Sequence, residues 1–91
     1  MNGRSVRVLI PGPLRSYTGE SGVVAAHGNT LDEILADLDL RYPGLRFRVI
    51  DEQGGIRRHI KFFVNGAAAS NLQPAMHDAD EVMIVCALSG G

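Results

Sequence analysis

The chain has 91 residues, of which 45% are hydrophobic and 21% are charged, and its formal net charge is −1. This length supports one small domain with a single core. A nearly neutral chain without a basic stripe argues against nucleic acid as the main partner, and no stretch reaches the ~18 consecutive apolar residues of a membrane span. Because the N-terminus also lacks the apolar core of a signal peptide, we expect a cytoplasmic protein.

The chain begins with two predicted strands. Apolar residues alternate over residues 5–10, which predicts a strand that Pro11-Gly12-Pro13 ends. A turn-bearing stretch over residues 14–22 then leads into a short apolar run at residues 23–26. We interpret this run as a second strand and as the hairpin partner of the first.

One amphipathic helix follows the two strands. The sequence from Thr30 to Glu33 has the pattern of a capping box, in which each of these two side chains accepts a hydrogen bond from the other residue's backbone N–H. Pro43-Gly44 ends the helix. The apolar side chains recur on one helical face, which predicts that this face is buried: Leu31, Ile34, Leu35, Leu38 and Tyr42.

The second half of the chain contains three more predicted strands. We expect residues 45–59 to form an irregular excursion with a few apolar side chains turned inward. Residues 60–64 form an apolar strand, and Asn65-Gly66 favours a type I′ turn into a short partner over residues 67–69. A final apolar strand covers residues 81–88, and its single cysteine, Cys86, is interpreted as a buried core residue.

This order of elements predicts an α+β fold. One amphipathic helix among four to five strands is accommodated most economically by packing it across one face of a mixed sheet. With the helix after the first hairpin, the first and last strands can run parallel at the centre of the sheet, which is the β-grasp (ubiquitin-like) topology. We therefore expect a β-grasp domain over residues 1–87 and a flexible Gly-Gly tail over residues 88–91.

The side chains do not form a recognisable active site. The three histidines, His27, His59 and His77, are far apart in sequence and lack metal-ligand spacing, so no metal site is predicted and no bound cofactor is expected. No phosphate-binding glycine motif is present, and Ser89 lacks the surroundings of a serine nucleophile. The basic clusters at Arg57-Arg58-His59 and at Arg46 and Arg48 are interpreted as solvated loop charges.

The C-terminal glycines offer the one distinctive chemical group. Gly90 and Gly91 follow the last apolar strand and place a carboxylate on a tether without side chains. Since glycine has no Cβ, such a tail, with Leu88 at its root and Ser89 next, can pass through a narrow slot on another protein. A frayed terminus is the alternative interpretation. We expect Gly91 to be the group that is activated and modified.

A tail of this kind requires a docking surface on the folded domain. Strand alternation turns Phe63, Met83 and Val85 away from the helix, so we predict that they form an exposed apolar patch for a partner protein. The alternative is that the excursion over residues 45–59 covers this patch.

Several motifs in this order resemble one known family. They are Val6-Arg7-Val8, Pro13-Leu14-Arg15 with Gly19, Thr30-Leu31, Tyr42-Pro43-Gly44-Leu45, Phe63-Val64-Asn65-Gly66, Asp80-Glu81-Val82 and Gly90-Gly91. Over nearly its whole length the chain resembles the ThiS/MoaD family of ubiquitin-like sulfur-carrier proteins, and especially its longer MoaD-like and cysteine-biosynthesis members. Two departures stand out: residues 67–77 lack the family's acidic residue after Asn-Gly, and Ala79 stands where glycine is common.

The resemblance implies a carrier without catalytic residues. A ThiF/MoeB-like enzyme would use ATP to adenylate Gly91, and a sulfurtransferase or sulfide would convert it to a thiocarboxylate. The carrier would then donate sulfur to an acceptor enzyme in the biosynthesis of molybdopterin, thiamin, cysteine or a thiolated metabolite; if it is MoaD-like, it is also the small subunit of molybdopterin synthase. Two alternatives are a ubiquitin-like modifier joined through Gly91 to lysines and a plain β-grasp binding module.

Overall fold

The computed structural model describes residues 4–87. Its elements, in chain order, are β1 (Arg4–Leu9), a 3-10 helix (Gly12–Thr18), β2 (Val23–Gly28), α1 (Leu31–Arg41), α2 (Leu45–Val49), β3 (Ile60–Val64), β4 (Ala67–Ala69) and β5 (Glu81–Cys86). The strands form one five-stranded sheet in the order β2-β1-β5-β3-β4.

The sheet has the predicted β-grasp topology. β1 and β2 form an antiparallel hairpin, and β1 pairs in parallel with β5 at the centre of the sheet. β3 lies antiparallel to β5 on its other side and carries β4 at the edge. The fold class expected from the sequence is therefore confirmed, with five strands.

The core lies between the sheet and α1. Alternation buries every second residue of the central strands, so that Val8, Phe62 and Val82 are fully buried while their neighbours in sequence are not. The predicted helical stripe supplies the other side of the core, because Leu31, Ile34, Leu35 and Leu38 are all buried. Tyr42 is partly buried and packs against the same cluster.

The N-terminus of α1 departs from the predicted capping box in one bond. The Thr30 hydroxyl accepts from the Glu33 N–H at 3.2 Å, as expected. The Glu33 carboxylate, however, accepts from the N–H of Asn29 at 2.7 Å. Gly28 passes close to this first turn, since a Cβ on residue 28 would lie only 2.8 Å from the Glu33 Cβ.

Residues 45–59 are more regular than the sequence predicts. α2 occupies Leu45–Val49, and the loop that follows is closed by a bridge between Ile50 and Ile56. The start of α2 is stabilised from α1, since the Asp39 carboxylate accepts from the N–H groups of Gly44 at 3.1 Å and Arg46 at 3.2 Å. The prediction of an irregular excursion was wrong for residues 45–49, because the Asp39 cap belongs to another helix, but the expected inward-turned side chains are found at Leu45, Val49 and Ile50.

The β3–β4 turn agrees with the prediction. Asn65 and Gly66 have φ values of 50° and 87°, and Val64 pairs with Ala67 across the turn. Positive φ at both central residues is what a type I′ turn requires. Cys86 is partly buried and packs against the core, so it is less enclosed than predicted. No helix within residues 4–87 is long and apolar enough to cross a membrane.

Candidate functional site

The candidate site is the end of β5, which leads to the C-terminal residues. β5 is bonded on one side to β1 and on the other to β3. Beyond its last residue, the N–H of Ala87 donates to the carbonyl of His59 at 2.7 Å, so the chain remains attached to the sheet up to Ala87. The predicted tail residues lie outside the described residues, and their roles stay predictions: Leu88, Ser89, Gly90 and Gly91.

The outer face of the sheet, opposite α1, carries an apolar row that crosses all five strands. Successive members are register partners: Leu9 pairs with Val23 and Met83, and Phe63 pairs with Met83 and Ala68. We call Val23, Leu9, Met83, Phe63 and Ala68 the outer row. Val23 is 49% exposed and Met83 is 39% exposed, which makes this row an accessible apolar strip on the described surface.

The structure places the three predicted docking residues on this outer face. Phe63 is partly exposed beside the fully buried Phe62, and Met83 lies between the buried Val82 and Ile84. Val85 is partly exposed and pairs in register with Lys61, next to the outer row. Their docking role remains a prediction.

The excursion leaves Met83 accessible. α2 packs against α1 and the 3-10 helix, and Leu45, Val49 and Ile50 are buried in the core. The alternative in which residues 45–59 cover the whole predicted patch does not match this arrangement, because Met83 at its centre is exposed.

Three members of the outer row were missed in the sequence. Leu9, Val23 and Ala68 join Phe63 and Met83 only through the order and register of the strands. Alternation in β1 does carry part of this signal, since Leu9 stands between the core residues Val8 and Ile10 and must point the other way.

Two of the three histidines lie beside carboxylates. His27 lies 3.7 Å from Asp37, and His77 lies 3.6 Å from Asp80. Between residues 4 and 87 no three His, Cys, Asp or Glu side chains converge as metal ligands.

A depression of about 560 Å³ beside α2 is lined in part by Asp39 and Asp51, whose carboxylates accept backbone hydrogen bonds. Asp39 in its wall caps α2, and Asp51 accepts backbone hydrogen bonds from Gln53 and Gly55, each at 2.9 Å. The N–H groups of Gly55 and Gln53 lower the pKa of Asp51, with a smaller effect from the charge of Arg57. Asp39 and Asp51 therefore hold backbone groups in place, whereas Glu52 in the same lining is exposed to solvent.

Comparison with known proteins identifies the family. The model of the ThiS family matches residues 8–91. The chain is also 35% identical over 92 residues to the sulfur carrier protein CysO of Mycobacterium tuberculosis, an alignment that covers 96% of this chain and 99% of the relative.

Solved structures agree with the sequence match. The crystal structure of Mycobacterium tuberculosis CysO superposes with a TM-score of 0.86 at 34% identity, covering 91% of this chain and 99% of that one. The Amycolatopsis orientalis BexX/CysO complex gives a TM-score of 0.87 at 34% identity, with 94% and 99% coverage. Haloferax volcanii SAMP1 gives 0.82 at 29% identity, with 96% and 99% coverage. The chain therefore belongs to the ThiS family.

Proposed function

We propose that this chain is a sulfur carrier whose Gly91 carboxylate is converted to a thiocarboxylate that donates sulfur in a biosynthetic pathway. The observation that carries the proposal is the family match, which runs from residue 8 through Gly91. The 35% identity to a sulfur carrier protein over 96% of this chain supports the same function.

The chemistry requires an activating enzyme. A carboxylate is a poor electrophile, so a ThiF/MoeB-like partner transfers AMP from ATP to the Gly91 carboxylate and releases pyrophosphate. Sulfide, free or delivered by a sulfurtransferase, then attacks the acyl carbon. AMP leaves with one of the original carboxylate oxygens, and sulfur takes its place. The activated end must be enclosed by the partner, because water would otherwise hydrolyse it.

The described domain is suited to a carrier role. Its carboxylates at Asp39 and Asp51 hold loops, while β5 presents the tail from the centre of the sheet, between two bonded neighbours. The catalytic groups and the ATP site then belong to the partner. The outer row supplies an apolar surface on which that partner can dock, since a short tail alone has little area to bury.

The acceptor is an enzyme that incorporates sulfur into a small molecule. The candidate products are molybdopterin, cysteine, thiamin or a thiolated metabolite. The related carrier of Amycolatopsis orientalis is found in a complex with BexX. By analogy, we propose that this chain meets its acceptor through a transient complex that receives the thiocarboxylate.

A second candidate function is protein modification. The structural similarity to the small archaeal modifier protein 1 of Haloferax volcanii, with a TM-score of 0.82, favours it specifically. In that case the activated Gly91 carbonyl is attacked by a lysine amine of a target protein, and an isopeptide bond forms with release of AMP.

Intact-mass measurement tests the proposal. The chain is incubated with ATP, sulfide and the ThiF/MoeB-like enzyme encoded in the same genome. Replacement of oxygen by sulfur at Gly91 adds about 16 Da, a covalent change that the spectrum resolves. Omission of ATP is the control and leaves the mass unchanged. Lysine conjugates without this mass gain identify a modifier instead of a carrier.

A further inference from the structure

Seven of the nine Lys and Arg side chains fall into two groups, while Arg4 donates to Asn29 and Arg15 donates to the carbonyl of Ile10. Arg7, Arg41 and Arg46 form ion pairs, with Glu81, Asp37 and Asp32 respectively. A second group near the start of β3 differs, because within residues 4–87 no carboxylate side chain lies within 4.0 Å of its members. We call this group the cationic rim: Arg48, Arg57, Arg58 and Lys61.

The rim is continuous in space although it comes from two parts of the chain. Arg48 and Arg57 line one depression of about 190 Å³, together with Phe47 and His59. Arg57 also lines a groove of about 340 Å³ with Arg58 and Lys61. The fold thus joins two basic clusters that are separate in the sequence, and α2 makes this possible by placing Arg48 beside residues 57–59.

The rim lies at the base of the C-terminal tail. His59, between Arg58 and the first residue of β3, accepts the hydrogen bond from the N–H of Ala87. Lys61 is the register partner of Val85 on β5, on the same face as the outer row. The rim therefore borders Ala87, the last described residue, and it adjoins the outer row.

One member of the rim is held in place. The Arg57 Nε donates to the carbonyl of Phe47 at 2.7 Å, and its guanidinium lies 4.5 Å from the centre of the Phe47 ring. The charge of Arg57 contributes to the lowered pKa of Asp51. The Asp51 carboxylate accepts its hydrogen bonds from backbone N–H groups and not from Arg57. Within residues 4–87, gathering like charges without carboxylate partners does not stabilise the fold, so folding stability does not account for Arg48, Arg58 and Lys61.

We propose that the cationic rim contacts an acidic surface around the entrance of the site that receives the Gly-Gly end on the adenylating enzyme. This inference rests on the proposed sulfur-carrier function. Opposite charge around the entrance accelerates encounter and orients the tail toward the site before the outer row makes contact. Nucleic acid is disfavoured as the occupant, because the whole chain has a net charge of −1.

Charge reversal with a matched control tests the proposal. Arg58→Glu and Lys61→Glu each change one exposed charge from +1 to −1 inside the rim. Arg4→Glu makes the same change at the far end of the sheet, where Arg4 contacts Asn29. Stopped-flow association with the adenylating enzyme is measured at several salt concentrations, and circular dichroism checks that each variant is folded.

The expected result is a fall of about 10-fold in association rate for both rim variants at ~0.05 M salt, with Arg4→Glu close to the native rate. The difference shrinks toward zero at ~0.5 M salt, where surface charges are screened. Rim variants that associate as fast as Arg4→Glu overturn the inference, as does a loss that persists at high salt.

Failure of the proposed function gives a different pattern. If the native chain gains no sulfur with this enzyme, both the carrier function and the docking role of the cationic rim are contradicted. If the native chain loads normally and the rim variants load at the same rate, only the docking role of the rim is contradicted. Binding of single-stranded RNA that is lost in Arg58→Glu, with enzyme association unchanged, assigns the rim to nucleic acid and also overturns the proposal.

Discussion

Asn65 joins the β3–β4 turn to Asp80, at the entrance of β5. The Asn65 side-chain amide donates to Asp80 Oδ1 at 2.9 Å, and its carbonyl oxygen accepts from the N–H of Glu81 at 2.9 Å. The Asn65 N–H also donates to the carbonyl of Glu81 at 2.8 Å. The Asn-Gly turn therefore fixes the start of the strand that leads to the tail, in addition to closing a hairpin.

The Asp80 carboxylate makes stability depend on pH. The hydrogen bond from Asn65 lowers the pKa of Asp80 below its ordinary value, and the N–H of His77 adds to this effect. A lowered pKa in the folded state stabilises the protein above the unfolded pKa, and the contribution is lost as pH falls through the folded value.

We therefore expect the native protein to have a higher free energy of unfolding than Asp80→Asn at pH 7. This difference in unfolding free energy should narrow as pH falls from about 5 to below the unfolded pKa of about 3.9. Urea midpoints measured from pH 7 to pH 3 check the prediction. A gap that stays constant would show that Asp80 acts only through its shape.

Ala79 occupies a backbone conformation that favours glycine. Its φ is 71°, and its N–H donates to the carbonyl of Ser5 at 2.9 Å, so the turn is held in this conformation. The left-handed region costs an L-residue ~1–2 kcal/mol in the folded state. Glycine opposes this gain, because its larger conformational entropy stabilises the unfolded chain by ~0.4–1 kcal/mol. Ala79→Gly should therefore raise the free energy of unfolding by roughly 0.5–1 kcal/mol.

The matched control for Ala79→Gly is Ala36→Gly. Ala36 is exposed within α1, and glycine in an exposed helix interior costs ~1 kcal/mol. The two variants should shift the urea midpoint in opposite directions. A loss of stability in both would mean that the turn at Ala79 tolerates alanine without strain.

Local sequence patterns predict most of the fold but only part of the candidate docking site. Alternation in β1 and β5 and the apolar face of α1 report burial directly, because each pattern matches the period of its element. The outer row, the cap that Asp39 provides for α2 and the meeting of Arg48 with Arg57 depend on contacts between distant segments. No local periodicity encodes those contacts, so they become visible only once strand order and register are known.

Leu35 tests the core assignment of α1. It is 1% exposed, whereas Leu40 on the same helix is 83% exposed. Leu35→Ala should cost about 2–5 kcal/mol of unfolding free energy, because it removes buried methyl groups and leaves a cavity. Leu40→Ala should stay within about 0.5 kcal/mol of the native value. Chemical denaturation of both variants measures the contrast, and equal losses would contradict the assignment.

The outer row tests the docking surface. Met83→Asp and Phe63→Asp place a charge at its centre, and we expect each to weaken binding to the adenylating enzyme by at least ~2 kcal/mol, as for a buried anchor in an interface. Leu40→Asp is the control, since Leu40 is an equally apolar exposed residue on the helix side. Calorimetric titration measures all three. If Phe63→Asp unfolds the protein, Met83→Asp still decides the question, because Met83 is 39% exposed.

Removal of Gly91 tests the functional role of the tail directly. Within residues 4–87 the fully buried core residues lie between Val6 and Ile84, so deletion of Gly91 should leave the melting temperature unchanged. Sulfur loading should be abolished, because the remaining carboxylate is one residue too short to reach the activated position in the partner. Addition of one residue after Gly91 should abolish loading equally, whereas Ser89→Ala, which keeps both terminal glycines, should load at the native rate.

Intact mass after incubation with ATP, sulfide and the adenylating enzyme measures the sulfur loading of all three variants. Full loading of the chain that lacks Gly91 would refute Gly91 as the acceptor and return the tail to an incidental feature of a β-grasp binding module.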